Sequence, residues 1–279
     1  MPLPPDATIL ITGGSSGIGA AAAVQLAAAG ARVLLAGRDR ARGDAVAADI
    51  GRAGGRAEFL ATELLSLVEI DRLADAVAAR TERLDAVIHS AGGVFRLRHN
   101  SADGIEATFA LHVVAPFALS HALRPLLARG GGRVVHAVAG VPDRATLVVD
   151  ELADPPRHTL WSSYVRANLA LLMVTAEMSG RWAGDGIGAV AVHPGSVPST
   201  RLGRTVQGTT WSLYRFVTRL TFAADRPATA AARYVRALGP DVPSGAWLKG
   251  DRLARLPMQA RDPAVRAALW DRLVALTAR

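Results

Sequence analysis

The 279-residue sequence contains no cysteine, a single lysine (Lys249) and few aromatic residues, which make up 5% of the chain. Without cysteine, the protein cannot form disulfide bonds, use a thiolate nucleophile, or bind zinc or iron–sulfur clusters through sulfur. A chain of this length buries roughly 75% of the surface that its unfolded form exposes, so it does not need such cross-links. The absence of cysteine suits a reducing compartment, and we expect a cytoplasmic protein.

The sequence also lacks concentrated charge and long uninterrupted apolar segments. Its 32 basic and 24 acidic residues give a net charge of +8, but the arginines are dispersed among acids, which argues against nucleic-acid binding. The alanine-rich stretch 18–36 is interrupted by Gln25, Gly30 and Arg32, so we do not expect it to span a membrane. No basic segment precedes the first apolar run, and we predict neither a signal peptide nor a membrane partner.

Apolar runs of strand length alternate with segments of helical period along the whole sequence. Strands are predicted at 8–11, 32–36, 57–60, 84–89, 133–138, 187–192 and 246–248. Helices are predicted at 17–29, 39–50, 66–80, 104–128, 160–182, 227–238 and from about residue 262. This alternation is typical of repeated βαβ units. We therefore predict a single α/β domain over residues 1–279, a Rossmann-type doubly wound parallel sheet with helices on both faces.

A glycine-rich turn, T-G-G-S-S-G-I-G at residues 12–19, joins the first predicted strand to the first predicted helix. Glycines in this context let the backbone approach a pyrophosphate, whose charge then lies at the helix N-terminus. The predicted dinucleotide contacts are Thr12, Gly13, Ser15, Ser16, Gly17, Ile18 and Gly19. After the second strand, where an acidic residue would bind the ribose hydroxyls of NAD, Gly37 is followed by Arg38. The forked guanidinium of Arg38 suits a 2′-phosphate, so the predicted cofactor is NADP.

With these motifs the chain resembles the short-chain dehydrogenase/reductase family. The glycine turn matches the family's T-G-x-x-x-G-x-G motif, and H-P-G at 193–195 with Thr200 after it matches P-G-x-x-x-T. Residues 103–127 and 244–270 resemble the retinol-dehydrogenase-like branch. The further cofactor contacts that the resemblance implies are Glu63, Leu64, Ser90, Ala91, Gly92, Asn168, Pro194, Gly195 and Val197. It also implies a homodimer or homotetramer that pairs through the helices at 104–128 and 160–182.

The four catalytic positions of this family, Asn, Ser, Tyr and Lys, are only partly kept. Tyr164 stands at the position of the general acid/base, but Asn168 replaces the lysine, Ala139 the serine and His112 the asparagine. An alanine cannot donate to a substrate carbonyl, and losing such a donor typically costs about 3–4 kcal/mol. Without the lysine, the tyrosine would be a poor base at neutral pH but could still donate a proton. Reduction should therefore suffer less than oxidation.

Several polar residues are candidates to compensate, each with a structural alternative. His112 is either a catalytic acid/base or a histidine packed in the core. Ser163, which follows Ser162, either donates to the substrate or caps the helix. His89 and His193 flank the expected cleft and are interpreted as structural. No spacing is typical of metal ligands, so we expect no metal.

The segment from Gly195 to about residue 225 is the expected substrate lid. Its aromatic residues include Trp211 and Tyr214, which together with Ala139 are predicted to contact the substrate. This composition favours a lipophilic small molecule, while core packing or a dimer contact is the alternative.

Three functions are compatible with these observations, and a fold alone does not choose among them. The first is an NADP-dependent carbonyl reductase that uses Tyr164 without the usual serine and lysine. The second is a non-redox enzyme, such as a cyclase, dehydratase or isomerase, with Tyr164 and His112 as an acid/base pair and NADP not consumed. The third is a non-catalytic NADP-binding protein.

Overall fold

The computed structural model describes residues 4, 6–197 and 225–278. Within them, eight strands form one sheet in the order β3-β2-β1-β4-β5-β6-β7-β8, parallel except for the antiparallel pair β7–β8. The strands are β1 (Thr8–Thr12), β2 (Arg32–Gly37), β3 (Arg56–Ala61), β4 (Ala86–His89), β5 (Arg133–Ala137), β6 (Gly188–His193), β7 (Trp247–Lys249) and β8 (Arg252–Ala254). The helices are α1 (Gly17–Ala28), α2 (Arg40–Arg52), α3 (Leu67–Ala78), α4 (Ala107–Phe109), α5 (Ala115–Ala122), α6 (Arg124–Gly130), α7 (Leu160–Arg181), α8 (Pro227–Ala237) and α9 (Pro263–Thr277). The reversal of strand order beside β1 confirms the predicted Rossmann-type fold.

An apolar core lies on each face of the sheet, because successive residues of a strand point to opposite sides. In β1, Leu10 belongs to the core formed with α3, α5 and α7, whereas Ile9 and Ile11 belong to the core formed with α1 and α8. All five residues of β1 are buried, as expected for a central parallel strand covered on both faces. The carboxyl ends of the central strands are thus held in a rigid frame from which a site can be built.

The helix predicted at 104–128 is not continuous. It contains a π-helical turn at Ala110–Val114 and bends by 65° between α5 and α6. The Ala115 N–H donates to the Ala110 carbonyl, five residues back, which is the hydrogen bond of a π-helix. Pro116, the next residue, has no N–H to donate to the carbonyl four residues before it. The widened turn carries His112. No single helix in the described part of the chain is long and apolar enough to span a membrane, although the bent α4–α6 segment reaches that length and composition when its parts are counted together.

The end of the chain adds a strand that the sequence did not predict and a helix that it did. Strand β8 pairs with β7 after a turn in which Gly250 has a φ of +60°. Helix α9 packs on α5 and α7, where the Trp270 ring centroid lies 5.0 Å from that of Phe117 and 6.1 Å from that of Trp182. Part of the surface that the resemblance assigns to subunit pairing is thus covered within one chain. The oligomeric state stays a prediction.

Candidate active site

The carboxyl ends of the central strands border a cavity of about 550 Å³. Its lining brings together the glycine turn, the end of β2, the π-helical turn and the start of α7. The predicted site residues found in the lining are Gly13, Ser15, Ser16, Gly17, Ile18, Gly19, Arg38, Glu63, Leu64, Ser90, Ala91, Gly92, His112, Ala139, Tyr164, Pro194, Gly195 and Val197. A crevice at this point of a doubly wound sheet is where such folds bind dinucleotides.

The geometry of the glycine turn fits a pyrophosphate. Gly13 has a φ of +71°, and a Cβ at this residue would lie 2.8 Å from the backbone of Ala91. A Cβ at Gly19 would lie 2.6 Å from the carbonyl oxygen of Gly13. Ser16, the N-cap residue of α1, makes no side-chain capping bond, so the N–H groups of the first turn are left for an anion. Thr12 lies outside the cavity lining, where its Oγ1 accepts from the Ala91 N–H at 3.4 Å.

Two arginines border the cavity near the end of β2. Arg38 is half-exposed and lies 3.5 Å from a carboxylate oxygen of Glu63. Arg42 also lines the cavity and forms an ion pair with Asp39. Asp39 is the N-cap of α2 and accepts from the Arg42 N–H at 3.0 Å, so its carboxylate is already engaged. Sequence reasoning missed Arg42, although its position four residues after Arg38, in the first turn of a helix, was the available signal.

Tyr164 and His112 are in contact at the centre of the lining. Their rings pack edge to face with centroids 5.3 Å apart. His112 Nε2 lies 2.8 Å from the Gly93 carbonyl oxygen and 3.3 Å from the Gly93 amide nitrogen. Since a carbonyl oxygen only accepts, the shorter contact places the ring proton on Nε2. Burial lowers the pKa of His112, so the ring is neutral at physiological pH. The His112 ring therefore packs against the Tyr164 ring, and its N–H is bonded to the Gly93 carbonyl.

Asn168 does not line the cavity, contrary to the expectation that it contacts the cofactor. Its Oδ1 accepts from the Ala139 N–H at 2.6 Å, and its Nδ2 donates to the Tyr164 carbonyl at 2.7 Å. Both functional groups of the amide are thus bonded to backbone. The residue at the family's lysine position ties the end of β5 to α7, which a lysine cannot do because an ammonium has no acceptor.

Ser163 is likewise absent from the cavity lining, and its predicted catalytic role has no geometric support. Its hydroxyl lies 3.0 Å from Nδ1 of the buried His158. Helix capping is performed by its neighbours, because Thr159 and Ser162 form a reciprocal capping box. The predicted substrate contacts Trp211 and Tyr214 lie outside the described residues.

His193, interpreted as structural from the sequence, lines the cavity at the end of β6. Its Nδ1 accepts from the Gly195 N–H at 3.2 Å. Burial is the main cause that lowers the pKa of this imidazole, and the nearby cations Lys249 and Arg233 lower it further. A contact of the ring with the backbone of His193 itself and the charge of Asp225 oppose this shift in pKa more weakly. The ring is therefore neutral at physiological pH.

A second pair of histidines lies in the core, outside the cavity lining. His89 and His136 stack with ring centroids 5.2 Å apart. His89 Nε2 lies 2.9 Å from Ser120 Oγ, and His136 Nδ1 lies 2.9 Å from Thr175 Oγ1. Thr175 donates its own proton to the Leu171 carbonyl, so Nδ1 of His136 is the donor. Burial lowers the pKa of both histidines, that of His136 to about 3, and Nε2 of His136 has no hydrogen-bond partner among the described residues.

Arg233 on α8 donates hydrogen bonds to residues at the border of the cavity. It donates to the Pro194 carbonyl at 2.5 Å and to the carboxylates of Asp225 at 2.6 Å and Asp251 at 3.2 Å. The Asp225 N–H donates to the Ser196 carbonyl at 2.9 Å. These bonds join the chain on the two sides of residues 198–224 and fix the backbone that borders the cavity.

The remaining lining that sequence reasoning missed is largely apolar. Its apolar and aromatic members include Val94, Phe95, Leu111, Trp161, Val165 and the buried Tyr234. These residues are dispersed over the chain, and no spacing in the sequence marked them as one surface. Among the described residues, no group of three or more His, Cys, Asp or Glu side chains is arranged to hold a metal ion.

Comparisons with known proteins agree with this geometry. A sequence model of the family described as short chain dehydrogenase matches residues 7–149. A protein of Streptomyces sp. (strain C5), named as a candidate daunorubicin C-13 ketoreductase, DnrU, is 32% identical over 96% of this chain and 91% of its own length. Human retinol dehydrogenase 13 is 30% identical over 98% of this chain and 86% of its own length.

Solved structures show the same fold. The crystal structure of an uncharacterized protein from Mycobacterium paratuberculosis superposes with a TM-score of 0.78 at 26% identity, covering 99% of this chain and 95% of that one. A Beutenbergia cavernae protein, described as a candidate NAD(P)-dependent gluconate 5-dehydrogenase with NADP bound at low occupancy, gives a TM-score of 0.66 at 26% identity, covering 88% and 95%.

Proposed function

The chain belongs to the short-chain dehydrogenase/reductase family of oxidoreductases, and on this premise we propose that it is an NADP-dependent reductase of a lipophilic ketone. The observation that carries the proposal is that Tyr164 lies in the same cavity as the glycine turn and Arg38. The names of two relatives, a candidate ketoreductase and a retinol dehydrogenase, support carbonyl–alcohol chemistry. The apolar residues of the cavity lining favour a substrate with little charge.

The preference for NADP rests on the two arginines near β2. Arg38 and Arg42 offer forked donors at the point where a 2′-phosphate would lie. The carboxylates beside them are engaged, since Asp39 caps α2 and Glu63 accepts from the Leu65 N–H and lies 3.5 Å from Arg38. The bound NADP in the Beutenbergia cavernae structure shows that a relative of this fold accepts that cofactor. Replacing Arg38 or Arg42 by alanine should lower kcat/KM for NADPH relative to NADH by about tenfold, the effect of one charge-assisted hydrogen bond.

In this mechanism the residues of the chain bind, orient and protonate. NADPH, when bound, supplies the hydride that reduces the carbonyl carbon. The Tyr164 hydroxyl donates its proton to the carbonyl oxygen, the product is an alcohol, and the tyrosinate takes a proton back from solvent. Asn168 provides no positive charge beside the tyrosine, so deprotonating an alcohol is the harder direction. We therefore propose that the enzyme works as a reductase.

The test is NADPH consumption with 1-tetralone, an uncharged bicyclic aryl ketone that suits the apolar part of the cavity lining. Tyr164→Phe should reduce kcat by about 100-fold or more because the proton donor is lost. Ser163→Ala, on the same helical turn but outside the cavity, is the matched control and should retain the wild-type kcat. An unchanged rate in Tyr164→Phe would contradict the proposal. So would conversion of the ketone without NADPH oxidation, which would favour the non-redox alternative.

A further inference from the structure

The proposed reduction leaves one role unassigned, that of the group that donates a hydrogen bond to the substrate carbonyl oxygen. Ala139 occupies the position of the family's serine and has no hydroxyl. A donor missing from such a position typically lowers kcat by about 100- to 1000-fold. A chain that still reduces ketones must therefore supply the hydrogen bond from another side chain that faces the same part of the cavity.

The sheet register brings His193 to this part of the cavity. Ala137 and Val192 are register partners of β5 and β6, and the Val138 N–H donates to the Val192 carbonyl at 2.8 Å. His193, the next residue of β6, therefore lies alongside the chain that leaves β5 at Ala139. Both side chains line the cavity that also contains Tyr164.

The orientation of the imidazole is set by its backbone contact. The Gly195 N–H donates to Nδ1 of His193 at 3.2 Å, and in the tautomer that accepts this bond the neutral ring carries its proton on Nε2. The Nε2 edge faces Gly140, where a Cβ would lie 3.5 Å from Nε2 and 3.8 Å from Cδ2. Nε2 therefore lies near Gly140, the residue that follows Ala139, while Nδ1 is bonded to the Gly195 N–H.

Other polar side chains near this position are already engaged. Nε2 of His112 bonds to Gly93, and the amide of Asn168 bonds to two backbone groups. The hydroxyl of Ser163 bonds to a histidine outside the cavity. His193 remains as the candidate, because its side chain lines the same cavity as Ala139 and its Nε2 lies near Gly140.

We propose that the Nε2–H of His193 donates the hydrogen bond that orients and polarises the substrate carbonyl, in place of the serine hydroxyl. This assignment rests on the proposed ketone reduction. In the reaction, His193 keeps its proton and stabilises the negative charge that develops on the oxygen, while Tyr164 transfers the proton that completes the alcohol. The charged groups facing the imidazole are Lys249, Arg233 and Asp225. The two cations oppose protonation of the ring, which leaves it a neutral donor.

The test combines two substitutions of His193 with one of Ala139, assayed with NADPH and 1-tetralone. His193→Met removes the donor at similar length and should lower kcat by about 100-fold without changing the Kd for NADPH. His193→Gln places an amide N–H near the position of Nε2 and should stay within about tenfold of wild type. Adding Ala139→Ser to His193→Met should restore kcat at least about tenfold, because the serine hydroxyl supplies the missing hydrogen bond.

The outcomes separate this inference from the proposed function. If wild type reduces the ketone but His193→Met keeps its kcat, or loses it without rescue by Ala139→Ser, the role of His193 is overturned while the reductase stands. A second measurement needs no turnover, namely the infrared stretch of carbonyl-13C-labelled 1-tetralone bound with NADP+ to Tyr164→Phe. This stretch should lie below that in the double variant Tyr164→Phe/His193→Met, and equal frequencies would overturn the inference. Absence of both turnover and binding of tetralone would overturn both proposals.

Discussion

Lowering the pH from 7.5 to 4.5 is expected to destabilise the protein by about 3 kcal/mol through His136 alone. The pKa of this imidazole is lowered by burial from 6.5 to about 3 in the folded state. The unfolded chain therefore binds a proton that the folded chain does not at any pH between these two values. Stability is fully present above pH 6.5 and is lost as the pH falls toward 3, by about 1.4 kcal/mol per unit. His89, whose pKa is lowered in the same direction, adds to this loss.

The assay is urea unfolding at both pH values, with His136→Asn as the matched variant. Asparagine retains an N–H donor for Thr175 near the position of Nδ1, and it removes the titrating ring and the unpartnered Nε2. His136 also lowers the pKa of His89, so the difference between the two pH responses reports His136 together with its effect on His89. Between pH 7.5 and 4.5, the free energy of unfolding of the variant should fall by about 3 kcal/mol less than that of wild type. Equal losses in the two proteins would refute the reasoning, because the imidazole would then not be buried and neutral.

Three further predictions follow from packing and hydrogen bonding. Asn168→Ala should lower the free energy of unfolding by about 1–3 kcal/mol, since two hydrogen bonds to backbone are lost, and an unchanged urea midpoint would contradict the geometry. Gly13→Ala should weaken NADPH binding by at least about tenfold in a fluorescence titration, because φ is +71° and the new Cβ would lie 2.8 Å from the Ala91 backbone, whereas Gly51→Ala, with no atom within 4 Å, should bind as wild type does. Trp270→Ala should cost about 3–5 kcal/mol in urea unfolding, as expected when a buried tryptophan is removed, and a loss below 1 kcal/mol would mean that α9 is not packed as described.

The sequence predicted the sheet and the cofactor end of the site because both depend on local patterns. Strand-length apolar runs define the order of βαβ units, and the glycine turn carries its own geometry. The discontinuity at His112 was also encoded locally, in Pro116, but the helical period of the apolar residues masked it. The roles of Asn168 and His193 could not be read from the sequence. They depend on which backbone groups of β5 and its continuation lie beside the two side chains, and that is set by sheet register and helix packing.

The hydrogen bonds of Arg233 to Pro194, Asp225 and Asp251 bear on how the sequence of this chain can vary. The Asp225 N–H donates to the Ser196 carbonyl, and Arg233 donates to the Asp225 carboxylate. The residues on either side of the segment 198–224 are therefore held together. The bonds of Arg233 to the Pro194 carbonyl and to Asp225 involve residues outside the segment 198–224. The residues that hold its two ends can therefore be retained while the sequence between them varies.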